Sequence, residues 1–375
     1  MADDKALVFV ASIRDNAVLS YELDLKNGNL TPVGRPLEVG WPWAMALSPD
    51  KHFLYVAAHK EHIIATLEIN EDVGDLKLVD IMPLKKELGL KIPTYIHVDS
   101  FGKHLLACDY YFDKLGSYQI GGDGCLKGDT ADVVTVGTGW RGPIEDRAHP
   151  HSIRVDPSGK YAVVAFTGKD HIDYYKWDPE NGSISQEPVS RIQTKGGTGP
   201  RHCAYHPTRS FVYFVMERGE RPSRVTLFDV VEGEPFLKEK GTWMTIPESF
   251  TEHNIIADVH ITPDGRFVYV SNRGHDSLAE FAISEEDGSL TPLGQVKTSI
   301  KPTTFAIDDS GRFALSAGNI CGRLSAHRIN KETGRLSLPK IIDCVWYGDE
   351  TGRKQKHDKP YKGDLGAPWV MTRPR

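Results

Sequence analysis

No run in this chain approaches the roughly 18 consecutive apolar residues that a membrane-spanning helix requires. The acidic start leads into a strand-like run, Leu7 to Ala11, too short for the core of a secretion signal. The expectation is a cytoplasmic protein with no membrane partner. Cysteine is scarce. Cys108, Cys125, Cys203, Cys321 and Cys344 lie far apart with no CxxC pair, so a zinc or disulfide framework is not expected and reduced thiols are. Excess positive charge is also missing: 45 Lys and Arg against 51 Asp and Glu leave a net −6, which offers no electrostatic gain to nucleic acid or to an anionic bilayer. There is no GxSxG, so serine nucleophilic catalysis has no support. Gly196-Gly197-Thr198-Gly199 precedes a strand rather than a helix and reads as a tight crossing, not a phosphate loop.

What is present is a repeat in a chain of ordinary globular composition, 39% hydrophobic and 26% charged. A length of 375 residues would suggest two or three domains at about 150 residues each, but a repeat overrides that prior. Residues 150–167 (PHSIRVDPSGKYAVVAFT) and 200–217 (PRHCAYHPTRSFVYFVME) share one plan: proline, a short mixed run, a turn, then a Val/Tyr/Phe-rich run. Copies begin also at Pro42, Pro93, Ala257 and Pro302, a period of about 45 to 57 residues. Runs alternating with period two around hairpin turns are strands. Each copy is followed by a third strand, a turn such as Asp287-Gly288 or Asn27-Gly28, and a fourth strand. Four strands per period, with no competing helical periodicity, predict propeller blades. The chain opens midway through a copy, at Ala6, and closes with residues 366–372 (GAPWVMT), which match 40–46 (GWPWAMA). Joining the ends predicts an all-β, seven-bladed propeller occupying residues 1–375 as one domain, with one blade shared between the termini.

Internal alignment isolates two positions facing the central channel. The residue after the motif proline is Trp43, Thr94, His151, Arg201, Asp258, Thr303 or Trp369. The residue ending the second run is His59, Tyr110, Thr167, Glu217, Arg273 or Asn319. A core position would repeat Val or Ile and a solvated turn would repeat Gly, Asp or Asn. Varied, mostly polar residues suggest a tailored ring, although each alone also reads as a strand end facing water. His151, Arg201, Glu217 and Arg273 form the candidate catalytic set, suited to an anionic small molecule and proton transfer. His59, Tyr110, His149, His202, Asp258 and Asn319 are candidate substrate-binding residues. His149 and His151 share a strand face, but no third metal ligand is evident and no metal is expected. Beside Arg201, His202 is expected to point the other way. Residues 347–366 read as an exposed polar connection.

The runs at 198–217 and 257–274, with the closing Gly-x-Pro-Trp-Val, resemble the lactonase family of seven-bladed propellers over nearly the whole chain. That family includes bacterial 6-phosphogluconolactonases of the cycloisomerase-like type and fungal carboxy-cis,cis-muconate cyclases. The resemblance implies a catalytic set at His151, Arg201, Glu217 and Arg273 and no organic cofactor or metal. Two departures bear on substrate: Phe166-Thr-Gly-Lys-Asp170 stands where many members have Asp-Leu-Gly-x-Asp, and Pro302-Thr303 where Pro-Arg is frequent. The expectation is hydrolysis of an anionic sugar lactone, of 6-phosphogluconolactonase type, with Glu217 or His151 as base. Ring closure of a carboxymuconate by the same parts is the alternative, and a non-catalytic binding platform is a third. A homo-oligomer is compatible with all three.

Overall fold

A computed structural model describes residues 4–84, 90–137, 147–218, 223–234, 236–319, 322–343 and 369–374, without the side chains of 129–131. Cys321, Cys344, the connection 347–366 and Pro368 therefore lie outside the described residues. The strands form seven four-stranded antiparallel sheets, each sheet a blade. The innermost strands are Pro42–Leu47, Tyr95–Val98, Pro150–Val155, Pro200–Tyr205, Ile255–Ile261, Pro302–Ile307 and Trp369–Pro374. In the first blade Trp369–Pro374 lies beside Lys5–Ser12, followed outward by Ala17–Asp24 and Leu30–Glu38. The register runs from Ala6 opposite Pro374 to Ala11 opposite Trp369, so the predicted splice of the two chain ends is observed. Blades are numbered from this one in chain order.

The core lies between blades. Successive side chains of a strand point to opposite faces, so each second strand feeds two interfaces. In blade 2, Leu54 and Val56 pack with Leu7 and Phe9 of blade 1, while Tyr55 and Ala57 pack with Ile96 and Leu105 of blade 3. The same exchange runs around the ring to blade 7, whose Phe313 and Leu315 pack with Val8 and Val10 of blade 1. Buried tyrosines add a polar tie. The hydroxyls of Tyr55, Tyr213 and Tyr269 donate to the carbonyls of Gly124, Gly288 and Gly334, each in the outer turn of the next blade. These turns need glycine for two reasons. Gly28 has φ +77°, and a Cβ there would lie 2.5 Å from Cε1 of Phe313; Gly288 has φ +75°, with Phe211 at 2.8 Å.

A β-bulge at the start of the inner strand repeats with the blades. Register shifts fall between Pro42 and Ala44, Pro150 and Ser152, Pro200 and Cys203, Ile256 and Val259, and Pro302 and Thr304. The residue after the proline is thereby unpaired and its side chain re-aimed. The residue before the proline is left-handed in four blades: Trp41, His149 and Lys301 at φ 51–52° and Gly199 at φ 59°. Their carbonyls accept the N–H groups of His59, Thr167, Asn319 and Glu217, the residues that end the second strands. The two positions singled out by alignment are thus tied to each other by a repeated backbone bond. Among the described residues, Cys108, Cys125 and Cys203 are unpaired thiols, two of them buried.

Gly28→Ala should destabilise the fold by about 1–3 kcal/mol, through backbone strain and contact with Phe313. Urea unfolding of Gly28→Ala, Phe313→Leu and the double variant checks it. A smaller ring partner should relieve part of the cost, so strictly additive effects would contradict the contact.

Candidate active site

The bulges of blades 4 and 5 bring His151 and Arg201 together at one mouth of the channel. Nε of Arg201 donates to Nε2 of His151 at 3.1 Å, and its Nη1 donates to the Ala257 carbonyl. Glu217, ending the second strand of blade 5, lies 3.7 Å from Nε of Arg201 and 3.9 Å from Nε2 of His151. Its other carboxylate oxygen accepts from Nη2 of Arg273, the corresponding residue of blade 6, at 2.7 Å. The four candidate catalytic residues therefore form one cluster drawn from three successive blades. Nδ1 of His151 and Nε of Arg273 are buried with no hydrogen-bond partner among the described residues. Orphaned donors in a buried cluster are costly.

Burial, then the charge of Arg201, holds the His151 imidazole far below the usual histidine range, so it is neutral. Since Nε2 accepts from Arg201, the proton resides on Nδ1. Burial, reinforced by Arg273, pushes Arg201 down to about 10, still charged at neutral pH.

His202 does not point away. The bulge at Pro200/Cys203 breaks the period of two, and the ring lies 5.4 Å from that of His151. Its Nδ1 donates to Asp258 at 2.9 Å, and Asp258 also accepts from His260 at 3.1 Å. Burial raises the Asp258 carboxyl, but the His260 charge and the His202 hydrogen bond outweigh this and hold it below the carboxylate range. Asp258 is therefore a buried bracket under the site. His202 itself is pushed down to about 4 by burial and then by Arg201.

The remaining candidates divide. Tyr110 packs edge-on to His151 at 5.2 Å and flat on His149 at 4.1 Å, and its hydroxyl accepts from Arg218. His149 donates from Nδ1 to the Tyr110 carbonyl, which orients that ring rather than presenting a metal-binding nitrogen. His59 stacks on Trp43 and donates to the Pro93 carbonyl at 2.9 Å, a bond between blades 2 and 3. Asn319 is buried with its Oδ1 unpartnered among the described residues.

A cavity of about 820 Å³ opens over the cluster, lined by Tyr110, Glu217, Arg218, Ile246, Phe250 and Asn254 among others. Arg218 and the wall 244–255 were not singled out by the repeat. The only available signal was that this connection between blades is longer than those at 39–41 or 298–301. Beneath the cluster three rings from blades 3, 5 and 1 close the channel. Tyr95 lies 5.0 Å from His202 and 5.6 Å from Trp369, and His202 lies 6.1 Å from Trp369.

The model of the family described as "Lactonase, 7-bladed beta-propeller" matches residues 7–341. A 6-phosphogluconolactonase of Xenorhabdus nematophila is 30% identical over 335 residues, 89% of this chain and 94% of that protein. One from Yersinia pestis is 29% identical over 339 residues, covering 90% and 94%. The solved structure of a periplasmic gluconolactonase from Pseudomonas aeruginosa superposes with a TM-score of 0.77 at 22% identity, over 90% of this chain and 96% of that one, a likeness of fold.

The buried neutral histidines set the acid response. An unfolded histidine binds a proton near pH 6.5, whereas folded His202 and His327 do so only at about 4. The unfolded state thus holds more protons across that window, and stability falls as pH drops, by up to about 1.4 kcal/mol per pH unit for each group. Urea midpoints between pH 7.5 and 4 should decline, and less steeply in His327→Gln; a flat profile would exclude neutral burial.

Proposed function

The chain belongs to the lactonase family of seven-bladed β-propellers, and on that premise we propose that it hydrolyses an anionic sugar lactone, in the manner of a 6-phosphogluconolactonase. The observation that carries the reading is the His151–Arg201–Glu217–Arg273 cluster, which meets the 820 Å³ cavity through the Glu217 carboxylate.

Of the two candidate bases, the geometry favours Glu217. Nε2 of His151 is occupied by the Arg201 N–H, whereas the Glu217 carboxylate lines the cavity. Glu217 takes a proton from water as its oxygen bonds to the lactone carbonyl carbon. The electron pair of the carbonyl moves to its oxygen, which Arg201 and Arg273 stabilise. Collapse breaks the bond to the ring oxygen, which takes the proton back from Glu217, leaving a hydroxy acid. His151 orients Arg201, and the Arg273 ion pair orients Glu217. At the rim, Arg218 meets the distal phosphate. It lines both this cavity and a neighbouring groove of about 880 Å³ that also carries Lys195 and Arg224. Arginine's fork suits phosphate and carboxylate alike. The curated relatives carry the hydrolase name, and nothing in them favours ring closure or a non-catalytic platform. The cytoplasmic location is retained as part of this proposal.

Glu217→Gln should lower kcat by on the order of 10²–10⁴-fold without loss of folding. Arg201→Ala should lower kcat/KM by at least about 10²-fold. Both are read by lactone consumption on a panel of sugar lactones, sugar-phosphate lactones and carboxymuconates. Arg218→Ala should raise KM for phosphorylated lactones while sparing unphosphorylated ones. Full activity in Glu217→Gln, or turnover of carboxymuconates alone, would overturn the assignment.

A further inference from the structure

The channel has a second mouth, on the side of the hairpin turns at Pro49, Ser100 and Pro157, and a cavity of about 470 Å³ occupies it. Every inner strand contributes to its wall. The Tyr95–His202–Trp369 rings stand between it and the lactone site, and the linings of the two cavities share no residue.

Arg154, on the inner strand of blade 4, projects into this lower cavity. Its Nη1 donates to the Cys203 carbonyl at 2.9 Å. Among the described residues no carboxylate pairs with it, and its other N–H groups have no acceptor. The groups that act on it most strongly are Tyr95, Cys203, Tyr205 and Asp258; the wall also carries Asp99, bound to His104 and the Lys103 N–H, and Asp156, bound to Ser158 and the Lys160 N–H. The first three are held protonated by burial. Asp258 has its two oxygens bound to His202 and His260. His97 lies on the same wall, pushed down to about 3 by burial and then by Arg154, and makes no hydrogen bond among the described residues. A neutral imidazole offers an N–H without adding charge.

A part-buried guanidinium lacking an anion is an unbalanced arrangement, because removal from water is not offset by an ion pair. Structural arginines in this chain look different: Arg191 is bidentate to Asp173 at 2.8 and 2.7 Å, and Arg273 pairs with Glu217. The geometry points to a second ligand site at the lower mouth, in which Arg154 and His97 hold a small oxyanion, phosphate or carboxylate. The fixed fork of Arg154 supplies charge and two parallel donors, and the cavity leaves room for a small organic body behind the anionic group. This site is separate from lactone hydrolysis and rests on none of its assignments.

Isothermal titration of the full-length protein with inorganic phosphate, and separately with acetate, tests it. Wild type should bind at least one of them at a site that Arg154→Gln weakens by about tenfold or more. His97→Leu should weaken the same site, and Arg201→Ala should leave it intact. Because the rings separate the cavities, Arg154→Gln and His97→Leu should keep kcat/KM for the lactone within about twofold. Should Arg154→Gln fail to fold by circular dichroism, Arg154→Lys, which keeps charge and loses the fork, serves with the same readout. Absence of binding by both anions, unchanged binding in the Arg154 and His97 variants, or binding lost only in Arg201→Ala would overturn the proposal.

Discussion

Ring closure is the constraint on which the rest depends. The six-residue strand Trp369–Pro374 pairs with Lys5–Ser12 and supplies both the innermost strand of blade 1 and one ring of the channel floor. Blades 4, 5 and 6 deliver His151, Arg201, Glu217 and Arg273 to within hydrogen-bonding range only because seven wedge-packed blades fix their mutual angle. Alternate side chains of each second strand fill two interfaces, so no blade is packed independently of its neighbours. Closure also pairs the edge strands that an open array would expose.

Within that frame the inner strands do two incompatible jobs. Their pairing must be regular enough to hold a blade together, yet the channel mouth needs side chains directed out of the alternating pattern. The bulge after the motif proline resolves the conflict locally. In the five blades that carry it, it costs one ladder position and yields a residue whose direction is free of the period of two. The left-handed residue before the proline returns its carbonyl to the end of the second strand, so both functional positions are anchored by backbone. In blade 5 the bulge spans Arg201 and His202, which is why both enter the channel although they are adjacent in sequence.

Charge in the channel is layered. Above the ring floor, two arginines share one carboxylate, Glu217, and a neutral histidine, which leaves the upper site cationic. At the level of the floor, Asp258 is locked by two histidines. Below it, Arg154 stands without an ion-pair partner among the described residues. An acidic protein of net −6 thus keeps arginines at both ends of its channel. For the proposed anionic lactone, attraction into the upper mouth would follow from that local arrangement rather than from overall charge.

Blade number, the splice of the chain ends and the equivalence of the positions that hold His151, Arg201, Glu217 and Arg273 were legible in the sequence. A repeat reports equivalence: residues such as His151 and Arg201, occupying one position in different copies, must occupy one place in each blade. Pairing and period-two alternation are local properties, so the chain alone determined them. Which neighbours a side chain meets is not local. The direction of His202, the commitment of His59 to the Pro93 carbonyl, the role of Asp258 as a bracket and the wall at 244–255 were all decided by tertiary structure. Bulges cancel alternation without altering composition, and contacts across the channel join residues from different blades whose separation in sequence carries no signal.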